Sequence, residues 1–477
     1  MKITEAENLQ EVVHAKWLRA EGGAASAKMS EASTSSTFTW QREFYLEHPD
    51  VAALTPAEVA KLRESLGIRV HGTATAPNLV STFVQASFPQ YLLDALRDAG
   101  YRSPTPIQRQ AWPMAMNGAD FIGLAETGSG KTLAFLLPAV VHVNAQPVLA
   151  DGEGPIALVL APTRELAAQI HDEAVKFGQC VRTACVYGGV PKQPQVEALR
   201  KGPELLVATP GRLADLVTAR RTTLGRATLL IVDEADRLLD MGFEPQLRAL
   251  ERQMRPRGER QTLLFSATWP DEVRFLAEAF VGRGAPIVEV GGALSEAGTA
   301  NAAIEQKVVW CEAAAKTREL IALLERLMDG SRILVFAASK KRCDELTREL
   351  RLDGWPALAI HGDKSQEERE WVLTQFKDGE QPLLIATDVA QRGLDIKDVR
   401  AVVNYDAPTT GTAYVHRIGR TGRAGASGTA YTFVNGDDRA VARDLVRVLK
   451  DAKQDVPARL QTLANEARAD AWSRGRS

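Results

Sequence analysis

From Phe83 onward the chain runs in short apolar bursts, each breaking off into a polar or glycine-rich step before a helical stretch: "DFIGLAETGSGKT", "IALVLAPTREL", "ELLVATPGRL", "LLIVDEADRLL" and "TLLFSATWP". Short unbroken apolar runs suit strands covered on both faces, and their alternation with helical spacing predicts a parallel sheet flanked by helices. In open α/β sheets ligands bind beyond the carboxyl ends of the strands, where each of these polar steps falls. The stretch "GGALSEAGTANAA", Gly291 to Ala303, is poor in large apolar residues and reads as a linker. Behind it the rhythm restarts in "RILVFAASKKRCDEL", "PALAIHGDKSQEERE", "PLLIATDVAQRGLD", "AVVNYDAP" and "GTAYTFV". The pattern therefore predicts two α/β domains, 83–290 and 304–455, joined by a linker over 291–303. A cleft between two such domains suits a ligand-driven clamp.

The ends of the chain read differently. Residues 1–39 contain one helical stretch, "AENLQEVVHAKWLRA", followed by "GGAASAKMSEASTSST", whose small polar side chains build no core, so disorder is expected there. Residues 40–82 regain aromatics and helical spacing, with Thr55 and Pro56 as a helix start. They form a flanking segment expected to dock on the following domain or on a partner. Residues 456–477 are read as a short tail ending in "DAWSRGRS".

Composition narrows the class. A chain of 477 residues, 45% hydrophobic and 25% charged, is globular with two or three domains. A formal net charge of -2 gives no global positive field, so a polyanion would be held by local patches. Cys180, Cys185, Cys311 and Cys343 form no CxxC pair and have no histidine at ligand spacing, so reduced core thiols are expected rather than a zinc site or disulfides. The longest apolar stretches, such as "LAFLLPAVVHV", stop short of the roughly 20 residues that span a bilayer. The first thirty residues lack an apolar signal core, and the expectation is a soluble, intracellular protein without membrane contact.

Candidate chemistry begins at "AETGSGKT", Ala125 to Thr132, which follows an apolar strand and precedes a helix, as a phosphate-cradling loop must. Thr127, Gly128, Ser129 and Gly130 would present backbone N–H groups to phosphate oxygens, Lys131 would reach the outer phosphates and Thr132 would ligate Mg2+. Ala125 stands where the general GxxxxGK[ST] form has its first glycine. A glycine-rich turn with a helix cap is the bland alternative. About a hundred residues on, "DEAD" (Asp233 to Asp236) taken alone is an acidic helix start, favoured there by roughly 0.3–1 kcal/mol. As the partner of a phosphate loop it reads as Asp233 holding Mg2+ through water and Glu234 activating the attacking water. Neighbours in an extended segment point to opposite faces, so the chain must turn for Glu234 to face the same nucleotide. Three carboxylates so close also need a cation nearby. "HRIGRTGRAG", with Arg417, Arg420 and Arg423 at three-residue spacing, is either that source, steadying charge on a transferring phosphoryl group, or a solvated basic loop.

Taken together these motifs make the sequence resemble the DEAD-box RNA helicases over about residues 40–455. The p-sixty-eight type of nuclear branch is the nearest in likeness, through "FYLEHPDVAALT", "MGFEPQLRAL", "SATWPDEVR" and "DGWPALAIHGDKSQEERE". The resemblance implies two tandem RecA-like domains, each a mostly parallel sheet with helices on both faces, with ATP and Mg2+ as cofactors. In "GYRSPTPIQ" it implies that Gln108 pairs with the adenine edge, Tyr101 lies against the base and Phe83 braces the segment. It makes Ser266 and Thr268 of "SAT" a link between nucleotide and RNA, with Asp236 bridging to them and to His416. Arg392 falls at the domain interface, Asp395 at the ribose, and Arg420 and Arg423 at the phosphates. RNA contacts are implied at Pro162, Thr163, Arg164, Gly188, Gly189, Thr209, Pro210, Gly211 and Arg212, and at Gln366, Arg369, Thr387 and Gly393. Hydroxyls, arginines and helix N-termini at strand ends suit phosphates and give salt-dependent, nearly sequence-blind binding. Gln391 departs from the small residue usual beside the interface arginine, and a long RGG-rich extension is lacking. The expected protein is a monomeric ATP-dependent RNA helicase, placed in the nucleus by the resemblance with the cytoplasm as the alternative, and protein partners are expected through residues 1–82. An ATP-gated RNA clamp with little turnover and a DNA-translocating motor are the competing readings.

Overall fold

The computed structural model describes residues 40–72, 76–291, 304–388, 399–422 and 427–474, with the side chains of Gln366 and of 468–474 excepted. The expected disorder of 1–39, all of the expected 291–303 linker after Gly291, and Gln391, Arg392, Gly393, Asp395 and Arg423 lie outside the described residues. The fold divides into two compact units, the first ending at Gly291.

In the first unit eight strands form one sheet: β1 (Ile68–His71), β2 (Phe121–Leu124), β3 (Ala157–Leu160), β4 (Thr183–Val186), β5 (Leu205–Ala208), β6 (Leu229–Val232), β7 (Gln261–Ser266) and β8 (Ile287–Val290). Their order is β1-β8-β2-β7-β6-β3-β5-β4. All neighbours are parallel except β1, which runs antiparallel to β8. Both alternating sets of side chains are buried in β3, β5 and β6, as expected of apolar runs covered by helices on both faces.

The flanking segment belongs to this unit's core: Phe44, Val51, Val59 and Leu79 join the same apolar cluster as Phe135 and Phe265. The helix Pro56–Ser65 starts where the sequence suggested, on a capping box in which Thr55 N–H donates to Glu58 and Glu58 N–H to Thr55 Oγ1. Trp112, fully buried, donates its indole N–H to Leu133 O at 3.1 Å, so its one polar atom is satisfied.

The second unit is a six-stranded, wholly parallel sheet of β9 (Ile304–Trp310), β10 (Arg332–Phe336), β11 (Ala357–Ile360), β12 (Leu383–Ala386), β13 (Val399–Asn404) and β14 (Gly428–Val434), ordered β11-β12-β10-β13-β14-β9. Separate apolar clusters cover its two faces. Leu334, Phe336, Leu384 and Val402 meet Tyr414, Leu445 and Leu449 on one, and Ile333, Val335, Ile385 and Val403 meet Leu320, Leu324 and Leu346 on the other. The helix Ala458–Arg474, in the stretch read as a tail, seats Leu460, Leu463 and Ala464 in the first of these clusters. All four cysteines are free, but Cys180 is exposed and Cys185 half-buried, so only Cys311 and Cys343 are core thiols. Among the described residues no helix is long and apolar enough to cross a membrane.

Candidate active site

Strand order decides which motifs are neighbours. "AETGSGKT" follows β2, "SAT" closes β7 and "DEAD" follows β6, and these three strands are adjacent. "PTR", "TPGR" and "YGG" follow β3, β5 and β4, the next three in order. One carboxyl edge thus carries two blocks side by side, and no sequence spacing reveals this division.

In the phosphate loop Gly128 and Gly130 take φ of +82° and +93°, and the helix Lys131–Asn144 begins directly after them, with Thr132 in its first turn. Lys131 is buried and donates from Nζ to Ala125 O at 2.8 Å, which bends its side chain back over the loop. A Cβ on Gly130 would lie 2.6 Å from Gln108 Nε2, so only glycine lets that amide approach. Gln108 joins two structures: its Oε1 accepts from Thr105 N–H at 3.0 Å and its Nε2 donates to Gly130 O at 3.0 Å. It therefore serves as a helix-start residue, and one lone pair and one N–H remain for a ligand edge. Tyr101 is 40% exposed, with Lys176 Nζ 5.9 Å from its ring, and Phe83 leans on Trp112 at a 5.9 Å centroid distance. Ser129 Oγ is buried without a partner among the described residues.

The acidic cluster contains the turn that its chemistry requires. Glu234 adopts φ 51°, ψ 54°, a left-handed conformation costing a non-glycine residue roughly 1–3 kcal/mol, and it caps the helix Ala235–Asp240. That turn frees Glu234 from the strand alternation that would send it opposite to Asp233. Asp233, Glu234 and Asp236 are 3%, 6% and 2% exposed, whereas Asp240 is on the surface. Asp236 Oδ2 accepts from both the N–H and the hydroxyl of Thr268, at 3.0 and 2.7 Å, and Ser266 Oγ donates to Thr268 O at 2.8 Å. The first unit supplies its own cations: Lys131 beside Asp233, and Arg237, 1% exposed, with Nη1 3.4 Å from Glu234 Oε2. Sequence reading missed Arg237, although its position three residues after Glu234 on a helix was the available signal.

Burial, with Glu234 and Asp236 adding like charge and Lys131 opposing, pushes the Asp233 carboxyl up to about 7. Between about pH 4, the ordinary aspartate range, and this value the folded protein holds a proton that the unfolded chain has lost. Stability from this group is accordingly lost as pH rises through the window. In urea denaturation, Asp233→Asn should gain stability relative to wild type on going from about pH 4 to 7, and a pH-independent difference would refute the burial effect.

In the second block, Thr163 and Thr209 cap the helices Arg164–Phe177 and Pro210–Thr218 at their N-termini, with Pro162 just ahead of the first and Pro210 and Gly211 opening the second. A Cβ on Gly189, whose φ is +82°, would sit 2.7 Å from Arg164 Nη1, while Gly188 is open. Arg212 Nη2 donates to Val190 O at 2.9 Å and the Arg164 guanidinium packs against Gly189, so both arginines lie against the loop after β4. That loop is braced by Gln195, which accepts from Tyr187 N–H and donates to Tyr187 O, each at 3.1 Å, and which sequence reading also missed.

In the second unit Gln366 opens the helix Gln366–Asp378, capped by Ser365, with Arg369 buried one turn in. Thr387 follows β12 and is buried. His416 and Arg417 end the helix Gly411–Ile418, and Arg420, also buried, donates from Nε to His416 O at 3.2 Å. Arg417 corrects the expectation drawn from the three-residue spacing. Its Nε and Nη2 grip Asp388 at 2.6 and 2.7 Å, and its Nη1 donates to Asp406 O at 2.7 Å, so it is a strut rather than a free phosphoryl contact. Arg417→Met should cost this unit about 2–4 kcal/mol in chemical denaturation, at the lower end because Asp388, 30% exposed, regains water.

Comparison with known proteins fits this geometry. The sequence model described as DEAD/DEAH box helicase matches residues 105–276, and that described as helicase conserved C-terminal domain matches 315–425. DEAD-box ATP-dependent RNA helicase 20 of Arabidopsis thaliana is 54% identical over 426 residues, covering 89% of this chain and 84% of its own length. ATP-dependent RNA helicase dbp2 of Neurospora crassa is 52% identical, over 89% of this chain and 75% of its own. The structure of S. cerevisiae Dbp5 bound to RNA and ADP BeF3 aligns with a TM-score of 0.68 at 29% identity, covering 79% of this chain and 95% of that one.

Proposed function

This chain belongs to the DEAD-box ATP-dependent RNA helicases, and from that premise we propose how its residues divide the work of RNA-stimulated ATP hydrolysis and local RNA unwinding. The observation that carries the assignment is the left-handed turn at Glu234, which breaks the strand alternation between neighbouring buried carboxylates at the end of β6, the strand paired with the "SAT" strand β7. Glu234 orients the attacking water and accepts its proton as the γ-phosphoryl group is displaced from ADP. Arg237 fixes the Glu234 carboxylate through its ion pair. Lys131 and the N–H groups of Thr127 to Lys131 hold the phosphates, and the remaining lone pair and N–H of Gln108 read the adenine edge with Tyr101 against the base. Phe83 braces this segment through Trp112.

The residues present fit a magnesium ion. Asp233 is a buried carboxylate whose proton affinity is raised by burial and like charge, a condition that a cation relieves, and Thr132 offers a hydroxyl. The described residues hold no group of three or more His, Cys, Asp or Glu suited to a metal, which accords with Mg2+ binding through one or two side chains and substrate phosphates. When bound, the ion supplies neutralisation of the β- and γ-phosphate charge.

Asp236 passes the state of the nucleotide site to Thr268, and His416, Arg392, Asp395, Arg420 and Arg423 complete the site when the domains close. Pro162, Thr163, Arg164, Gly188, Gly189, Thr209, Pro210, Gly211 and Arg212, with Gln366, Arg369, Thr387 and Gly393, hold the RNA backbone. The protein acts as a monomer in the nucleus, and protein partners engage residues 1–39 and the exposed face of the docked segment 40–82. Multiple-turnover ATPase measured with single-stranded RNA, single-stranded DNA and no nucleic acid tests the reading. RNA alone should stimulate, Arg212→Ala should weaken that stimulation about tenfold, and the RNA affinity should fall steeply with salt. Equal stimulation by DNA would point to a translocating motor, and negligible turnover with tight ATP-dependent RNA binding to a scaffolding clamp.

A further inference from the structure

Leu352 and Trp371 are 80% and 56% exposed, and both line one groove of about 420 Å³ on the second unit. The groove runs between the helices Lys340–Leu352 and Gln366–Asp378 beside β11, the edge strand of the sheet, and includes the buried Leu358, Ala359 and Val372. In a strand the polar groups of successive residues point to opposite sides. Ile360 O faces β12, where it accepts from Thr387 N–H, whereas Ala357 O faces the other way and accepts from Arg351 Nε. Ala359 has the parity of Ala357, so its backbone N–H and C=O face the groove.

The rim charges are unequally committed. Asp344 is held by His361 at 2.9 Å and Lys364 at 3.1 Å, and Glu368 accepts from Ser365 N–H. Glu345 and Glu349 on the same helix pair with Arg342, and Arg348 and the Nη groups of Arg351 have no ion pair with a carboxylate among the described residues. Glu367 and Glu370 are exposed on the same helix as Trp371 and, with Asp344 and Glu368, oppose a polyphosphate chain. A single carboxylate seated at the arginines avoids most of that repulsion.

We propose that this groove docks a short extended segment of a partner protein, which pairs its backbone with Ala359, buries a large apolar side chain against Leu352 and Trp371, and sets a carboxylate at Arg348 and Arg351. An exposed aromatic over an apolar floor supplies the anchor, and the strand edge and the arginines fix direction. None of the residues lining the groove is among those assigned to ATP or RNA, although Gln366 and Arg369 share the helix of Trp371.

The test uses the full chain and a random twelve-residue peptide library displayed on phage, with oligouridylate as the RNA probe. Selected peptides should combine Phe, Leu or Trp with Asp or Glu. Their affinity should drop at least about tenfold on Trp371→Ala and, separately, on Arg348→Glu, while RNA-stimulated ATPase and melting temperature stay at wild-type values. Absence of selected peptides, peptides indifferent to both substitutions, or basic peptides would overturn the proposal. Loss of oligouridylate affinity on Trp371→Ala without peptide binding would overturn it in favour of an RNA surface.

Discussion

Replacing Glu234 with glutamine should lower RNA-stimulated ATP turnover by about 10²–10⁴-fold while leaving ATP and RNA binding in place. Glutamine keeps the size of the side chain and the left-handed turn but cannot accept a proton from water. Loss of the charge relieves repulsion with Asp233 and Asp236 but leaves Arg237, 1% exposed, without its ion-pair partner, so the variant should be less stable than wild type. On the proposed cycle, in which the domains close on ATP and RNA and hydrolysis releases the RNA, RNA should leave the variant more slowly in the presence of ATP. Turnover kinetics with fluorescent-RNA dissociation measure both effects, and an unchanged turnover rate would remove Glu234 from its role.

Lys131→Ala should cut kcat/KM for ATP by about 10²–10³-fold, the loss typical when one preorganised donor to a developing charge is removed. The substitution differs from Glu234→Gln because it acts on binding as well as on chemistry. An ATP analogue at 100 times its wild-type Kd stabilises wild type by about 2.7 kcal/mol through linkage, and the variant should show almost none of that shift. Removing the cation also leaves Asp233 beside two carboxylates without its partner, so its proton affinity should rise further. Thermal melts with and without the analogue separate the two effects, and a full analogue shift in the variant would exclude Lys131 from the phosphates.

Several features were readable in the chain because they rest on short-range physics. Apolar bursts ending in polar steps specify strands and the edge where chemistry gathers, and "AETGSGKT" specifies a phosphate loop since only glycines allow its backbone angles. Thr55 and Pro56 start a helix through contacts three residues apart. The left-handed turn at Glu234 was anticipated as a need, although its dihedral angles were not. Arg417 shows the opposite case: its spacing with Arg420 was visible, but its partner Asp388 lies 29 residues away and its third contact, Asp406, on another loop. Gln195 and Arg237 were missed for a similar reason, since a brace and a buried counter-ion carry no motif of their own.

The sequence by itself determined the element types, the two-unit α/β plan and the residue types needed for ATP and RNA, because periodicity, glycine tolerance and motif spacing act locally. Tertiary structure decided which motifs are neighbours. The order β2-β7-β6 beside β3-β5-β4 places "SAT" next to the phosphate loop and the acidic cluster, although more than 130 residues separate Thr132 from Ser266, and it gathers the three RNA-type motifs into their own block. Strand order is set by which buried faces fit together across the whole sheet, and that long-range constraint leaves no periodic trace in the chain.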